Sequence, residues 1–234
     1  MGIRTLEWDS EWLGLRVGSV DPGVSLPDEK ELKEFDLVYF FRDPSDKKGL
    51  SWMARHQMEP IDRRLEYLLE LKTSSTSSSV PELYERGEYD EKLIELGETS
   101  FEWSRFKRDS RIGDSKFRLL YRQWMEASLN NKLSDFVFVQ KDEQEQIAGF
   151  AVVKIQEQKS FLVLLAVANA QRKKGWGKAL VKKAAAFAIS KGAISMSLLT
   201  QFENRAARHF FEGLGFQIKS QVNIYHFWTN EHTL

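Results

Sequence analysis

Two periodicities run along this chain. Alternating or unbroken apolar stretches at 3–8, 15–20, 36–41, 136–139, 147–155, 161–167, 194–199, 216–220 and 223–228 predict strands. Helical spacing marks 28–35, 90–104, 116–129, the stretch that follows Gly175 and Gly177, and 204–214. In 116–129 the residues Leu120, Trp124 and Ala127 share a face. After the glycines, Trp176, Leu180, Ala184 and Phe187 do so, with Lys178, Lys182 and Lys183 on the polar side and Gly192 placed to cap the end. Residues 61–71 fit either element. The charged run 141–146 joins two strands as a hairpin turn, and 104–111 breaks the helical pattern with four cations, Arg105, Lys107, Arg108 and Arg111.

From residue 90 the order is helix, helix, three strands, helix, strand, helix, two strands. That mixture predicts an α/β (α+β mixed) fold with a largely antiparallel sheet and helices on both faces. Residues 73–79, Thr-Ser-Ser-Thr-Ser-Ser-Ser, have nothing to bury and read as a connection. A boundary is expected there, between a smaller N-terminal domain (1–79) and a second domain (80–234).

Composition narrows the function classes. The chain has 234 residues and a formal net charge of zero, so attraction for anions must be local, and neither nucleic acid nor a membrane is an expected partner. It contains no cysteine, which removes thiolate nucleophiles and zinc–thiolate sites. The early acids Glu7, Asp9 and Glu11 do not suit a secretion signal, and a cytoplasmic protein is expected. His56, His209, His226 and His232 are scattered without ligand spacing, so no metal is expected.

The chemistry concentrates at 171–180, Gln-Arg-Lys-Lys-Gly-Trp-Gly-Lys-Ala-Leu. Glycines two apart permit a tight turn and close approach to a ligand. The first amides of the following helix have no helical acceptor and can bind an anion. Arg172, Lys173, Lys174 and Lys178 add positive charge, and no acid stands in the first turn. Alone, the stretch fits a solvated basic turn equally well. It matches neither the Walker pattern nor the dinucleotide fingerprint.

A second motif, Asn204-Arg-Ala-Ala-Arg-His-Phe-Phe-Glu-Gly-Leu-Gly-Phe216, follows at a distance that matters. With Arg172-x-x-Gly175-x-Gly177 it resembles the GCN5-related N-acetyltransferases over roughly residues 80–234. A looser likeness over nearly the whole chain is to the branch containing dTDP-fucosamine acetyltransferase, through residues 6–14, 103–106 with Asp109, and 121–128.

The resemblance implies acetyl-CoA or another acyl-CoA as co-substrate, its diphosphate held at Arg172, Lys173, Lys174, Gly175, Trp176, Gly177 and Lys178. It implies a sheet splayed between strands 161–167 and 194–199. Unpaired backbone groups at Leu165, Ala166 and Val167 would then meet the pantetheine arm, beside Asn204, Ala207 and Phe211. The Leu165 amide would be the oxyanion donor. Phe211 stands where family members commonly carry a tyrosine as general acid. Either transfer proceeds without that acid, or the fold binds acyl-CoA without catalysis.

On the acceptor side the closer likeness implies the amine of a nucleotide-linked deoxyamino sugar, met by Trp103, Arg105, Asp109 and Arg111. A peptide or other small amine is the alternative. Asp109, Glu102 and Glu203 are eligible bases, Tyr225 is a weak candidate proton donor, and the likeness suggests a homodimer.

Overall fold

A computed structural model describes residues 2–72, 82–84 and 90–229. The serine tract, and with it the boundary expected between 79 and 80, lies outside the described residues. In chain order the elements are β1 (Arg4–Thr5), α1 (Glu7–Leu13), β2 (Val17–Val20), α2 (Glu29–Leu32), β3 (Leu37–Arg42), α3 (Lys47–Arg55), β4 (Asp62–Glu70), β5 (Glu82–Leu83) and α4 (Asp90–Ser100). There follow α5 (Arg105–Arg108), α6 (Gly113–Leu129), β6 (Phe136–Lys141), β7 (Ile147–Gln156), β8 (Lys159–Val167), α7 (Trp176–Ser190), β9 (Ser195–Gln201), α8 (Arg205–Glu212) and β10 (Gln217–Trp228).

The ten described strands form one sheet in the order β1-β2-β3-β10-β4-β9-β8-β7-β6-β5. Pairs β2–β3 and β8–β9 are parallel, and the other described pairs are antiparallel. The expected mixed, largely antiparallel sheet is therefore present. Strands from before and after the serine tract interleave, because β4 lies between β9 and β10, and β10 lies between β3 and β4.

Alternation along the strands divides the interior. Leu65 and Tyr67 of β4 join Leu180, Val181, Ala184, Ala188, Leu198, Phe211 and Phe216 under α7 and α8. On the opposite face, Trp12, Tyr39, Phe106, Phe117, Leu120, Tyr121 and Met125 pack beneath α1 and α4–α6. A third cluster around Val38, Phe40 and Met53 serves β3 and α3.

Four local expectations are revised. The strand expected over 3–8 is only Arg4–Thr5; residues 7–13, its end and the link to the strand 15–20, form a helix that buries Trp12 and Leu13 and ends at Gly14 with φ 72°. Helix α3 was not expected; Asp46 caps it by accepting from the Gly49 amide at 2.9 Å. The polar loop 104–111 contains the short helix α5, capped by Ser104. The two terminal strands are one, interrupted by a register shift between Ile218 and Ser220.

Candidate active site

The parallel pair β8–β9 is joined only along part of its length. Its register runs from Lys159 opposite Ser195 to Leu162 opposite Leu198, whereas β8 continues to Val167 and β9 to Gln201. Val163 is the extra residue at the point of divergence: β7 pairs Val153 with Leu162 and Val152 with Leu164. A bulge of this kind bends the strand that carries it. Beyond it β8 leaves β9 and stays with β7, opening the expected fork.

The backbone alternation decides which groups face the fork. The Ala168 amide donates to Ala148 O of the β7 side at 2.9 Å. Hydrogen-bonded and non-bonded positions alternate along an antiparallel pair, so Ala166 is also turned toward β7, while Leu165 and Val167 are turned toward the opening. Arg172 Nε donates to Val167 O at 3.2 Å, from the open side. Of the three positions expected to be unpaired, Leu165 and Val167 face the fork, and Ala166 has its polar groups committed to the sheet.

At the mouth of the fork a turn of 3-10 helix over Asn169–Gln171 leads into α7. Lys173 (φ 63°) and Gly175 (φ 89°) are both left-handed. This alternation makes successive amides converge into a nest suited to anions. For a lysine such a conformation costs about 1–2 kcal/mol, strain of the kind found where a ligand is held. A Cβ on Gly177 would lie 3.2 Å from Phe210 Cζ, so any larger residue there would press on that ring of α8.

No side chain caps α7 and no acid occupies its first turn. Among the described residues, no carbonyl or carboxylate accepts from the amides of Lys173 to Lys178, and Ala179 is the first to bond back, to Gly175 O at 3.0 Å. The indole N–H of Trp176 is buried and lacks a partner. Lys174 donates to Gln171 at 2.8 Å, and Gln171 in turn to Asp142 at 2.6 Å, which steadies the turn. Arg172, Lys173, Lys174 and Lys178 are exposed and form no ion pair among the described residues. This donor set fits a diphosphate.

Along α8, Asn204 accepts from the Ala207 amide at 3.1 Å, so its side-chain oxygen is engaged as the helix cap. Ala207 is half-buried, and Phe211 is buried among Tyr67, Phe210 and Phe216, with ring centroids 6.4, 5.1 and 5.7 Å away. Tyr67 donates its hydroxyl to Glu212 at 2.7 Å.

The opposite face of the sheet carries a network centred on α5. His226 Nδ1 lies 2.5 Å from Asp109 Oδ2, and Trp228 Nε1 donates to the same oxygen at 3.0 Å. Arg105 Nη1 approaches His226 Nε2 at 3.2 Å. Since a guanidinium can only donate, Nε2 is the acceptor and Nδ1 carries the proton toward Asp109. Burial pushes the His226 pKa down to about 4, against the pull of Asp109. Asp109 is held below the usual carboxylate range: the bonds from His226, Trp228 and the Arg111 amide outweigh the burial that would raise it. Arg105 also stacks on Tyr39 (4.0 Å) and Phe106 (4.3 Å).

Sequence reasoning grouped Trp103, Arg105, Asp109 and Arg111 as acceptor contacts. The structure brings Arg105 and Asp109 together in the interior, where each already has partners. Trp103 is 46% exposed, and the exposed Arg111 reaches over Trp228 at 5.7 Å. Of the eligible bases, Glu203 is spoken for by Arg63 (2.6 Å) and Arg108 (3.4 Å), and Glu102 is exposed. Tyr225, the candidate proton donor, is buried in the third cluster.

Asp62 was missed. It opens β4 beside the diverging end of β9, where Arg64 stands opposite Gln201. It is 3% exposed and accepts no hydrogen bond, and its Oδ1 is the one carboxylate oxygen among the described residues that is fully buried without a partner. Burial lifts its pKa to about 6, although Arg105 and Arg108 pull the other way. The available signal was an acid heading the ambiguous stretch 61–71.

Residues 90–216 match the acetyltransferase (GNAT) family, and the chain belongs to that family of N-acyltransferases. No curated protein sequence matches the chain significantly. Among solved structures it is similar to a GCN5-related N-acetyltransferase from Sphaerobacter thermophilus (TM-score 0.63, 15% identity), covering 84% of this chain and 61% of that one. A functionally unknown conserved protein from Staphylococcus epidermidis gives a TM-score of 0.65 at 11% identity, covering 90% of this chain and 84% of that one. A tandem GNAT protein from the clavulanic acid biosynthesis pathway gives 0.60 at 12% identity, covering 92% and 75%. At these identities the likeness is one of fold. The chain thus spans about three fifths of the Sphaerobacter protein. Among the described residues no cluster of His, Asp and Glu could hold a metal, and no helix is long and apolar enough to cross a membrane.

Proposed function

We propose that the chain transfers an acyl group, acetyl by default, from an acyl-CoA to the amine of a nucleotide-linked deoxyamino sugar, by direct attack without an acyl-enzyme. The observation that carries this reading is the row of amides from Lys173 to Lys178, free of internal acceptors at the mouth of the β8–β9 fork. In this reading that row and the Trp176 indole hold the diphosphate, with Arg172, Lys173, Lys174 and Lys178 supplying charge. Leu165 and Val167 bond the pantetheine amides as an added strand would. The Leu165 amide also polarises the thioester carbonyl; one such donor is worth about 3–4 kcal/mol. The first 79 residues act as an accessory unit that contributes β4 beside the fork.

The sugar-nucleotide acceptor rests on the looser whole-chain likeness. Exposed Trp103 and Arg111 are the groups on that face still able to meet a base or diphosphate. A peptide or another small amine is the runner-up. A non-catalytic acyl-CoA-binding module is the third reading, favoured by Phe211, which puts a ring with no proton at the usual acid position.

Titration calorimetry with coenzyme A, followed by thiol-release assays with acetyl-CoA and a panel of dTDP- and UDP-amino sugars, separates them. Release with one amino sugar is the expected result. Saturable binding with no release for any amine would leave the module, and no heat at millimolar coenzyme A would remove all three.

A further inference from the structure

A buried carboxylate with no donor is costly, and native proteins rarely keep one without a use. At Asp62 the nearby cations are turned elsewhere. Arg105 faces His226 and the rings of Tyr39 and Phe106. Arg108 and Arg63 are taken by Glu203. Arg64, on the same face of β4 as Asp62, lies over Phe41 at 5.1 Å. The Asp62 carboxylate joins no ion pair and no hydrogen bond among the described residues. The missing partner is a small cationic donor, and an alkylammonium has that chemistry.

Position agrees. Asp62 is the first residue of β4, the strand flanking β9 where β9 parts from β8. Asp62 shares the sheet face of Tyr39, His226 and α5, opposite the face bearing α7 and α8. Asp62 thus stands one strand away from the fork, on the face opposite α7 and α8.

We propose that Asp62 receives the ammonium group of the acceptor and acts as the general base of the transfer, a role that rests on the N-acyltransferase reading above. One proton passes from the ammonium to Asp62, and the freed amine nitrogen bonds to the thioester carbonyl carbon. As the C–S bond breaks, the second N–H proton goes to the departing sulfur. The products are amide, thiol and protonated Asp62, which returns its proton to water. The substrate supplies the proton for the thiolate, so an acid at position 211 is dispensable. Burial, acting against Arg105, Arg108 and Arg64 and with Glu203, holds the carboxyl pKa near 6, well matched to a base at neutral pH.

The test compares the full chain with Asp62→Asn and Asp62→Glu, using acetyl-CoA and the amino-sugar panel. Asp62→Asn is expected to lower kcat/KM about 100- to 10,000-fold, abolish the acid limb near pH 6, leave coenzyme A affinity unchanged and raise Tm at pH 7.5. Asp62→Glu should recover part of the rate. Activity of Asp62→Asn within threefold of the parent, with the acid limb intact, would overturn the assignment and leave the N-acyltransferase reading standing. A lowered Tm would mark the carboxylate as a structural partner and equally overturn it. No turnover of any amine by the unsubstituted chain would remove both.

Discussion

The two faces of the sheet solve opposite electrostatic problems. Beneath α7 and α8 the interior is apolar, and the polar groups that matter lie at the rim. The amides of Lys173 to Lys178 remain open to water when no ligand is bound, so keeping them unpaired costs little. Beneath α4–α6 the polar groups are inside. Asp109, His226, Trp228 and Arg105 satisfy one another, and Asp62 does not. An anion site can be built from exposed backbone, whereas a site that strips a proton from an ammonium needs a carboxylate removed from water. The first kind leaves stability untouched; the second draws on it.

Four measurements would break or sharpen that contrast. The largest effect is expected at Asp109, whose loss strands the His226 and Trp228 donors in the interior. Asp109→Ala should lower the free energy of unfolding by about 3–5 kcal/mol, read from urea midpoints. A variant of unchanged stability that had lost only affinity for the sugar would return Asp109 to the acceptor contacts.

The second is a pH effect with two opposed contributions. His226 titrates near 6.5 when unfolded and near 4 when folded, so the native state binds fewer protons across that window. Its contribution is present above pH 6.5 and lost as pH falls toward 4. Asp62 goes from 3.8 to about 6, and the native state binds more protons between those values. Its contribution is greatest below about pH 3.8 and is lost as pH rises through 6. Each amounts to about 3 kcal/mol, so they nearly cancel in the parent chain. Asp62→Asn removes one, and its stability should fall steeply from pH 6.5 to 4 where the parent's is nearly flat. Parallel curves would show that the two groups are not opposed.

Third, Gly175→Asp should separate binding from folding on the α7 face. A Cβ there meets nothing within 4 Å, and aspartate tolerates a left-handed backbone better than most residues. The left-handed backbone still strains it, by about 1 kcal/mol. Its charge, placed where a diphosphate would sit, should weaken coenzyme A about 100-fold in calorimetry, with only a small drop in Tm from the backbone strain. Fourth and smallest, Lys178→Ala should weaken coenzyme A about two- to fivefold at low salt, with the difference shrinking as salt is raised. A salt-independent loss would mean Lys178 acts through packing.

How far the sequence could be read follows from which features are local. The glycine turn was legible because the backbone itself requires Gly175 and because the absence of an acid from a helix start is visible in one dimension. Helices α6 and α7 declared themselves through Leu120 and Trp124, and through Leu180 and Ala184, at helical spacing. The stretch 7–13 misled because its acids hide two tryptophans, Trp8 and Trp12, four apart and 6.3 Å between rings. Asp109 was read as an acceptor contact and an eligible base; its burial is created by His226 and Trp228, more than a hundred residues on. Asp62 depends on the threading of β4 between β9 and β10, and no spacing along the chain encodes that.

The position of β10 bears on how the chain reaches its final form. Its twelve residues bridge two strands made roughly 150 to 190 residues earlier. While a ribosome is still delivering the middle of the protein, β3 and β4 each present an open row of peptide groups to whatever is nearby. Such rows invite pairing with a neighbouring chain. Closure waits for residues 217–228, so the newborn polypeptide passes through a long interval in which a chaperone's shelter, or dilution, governs yield.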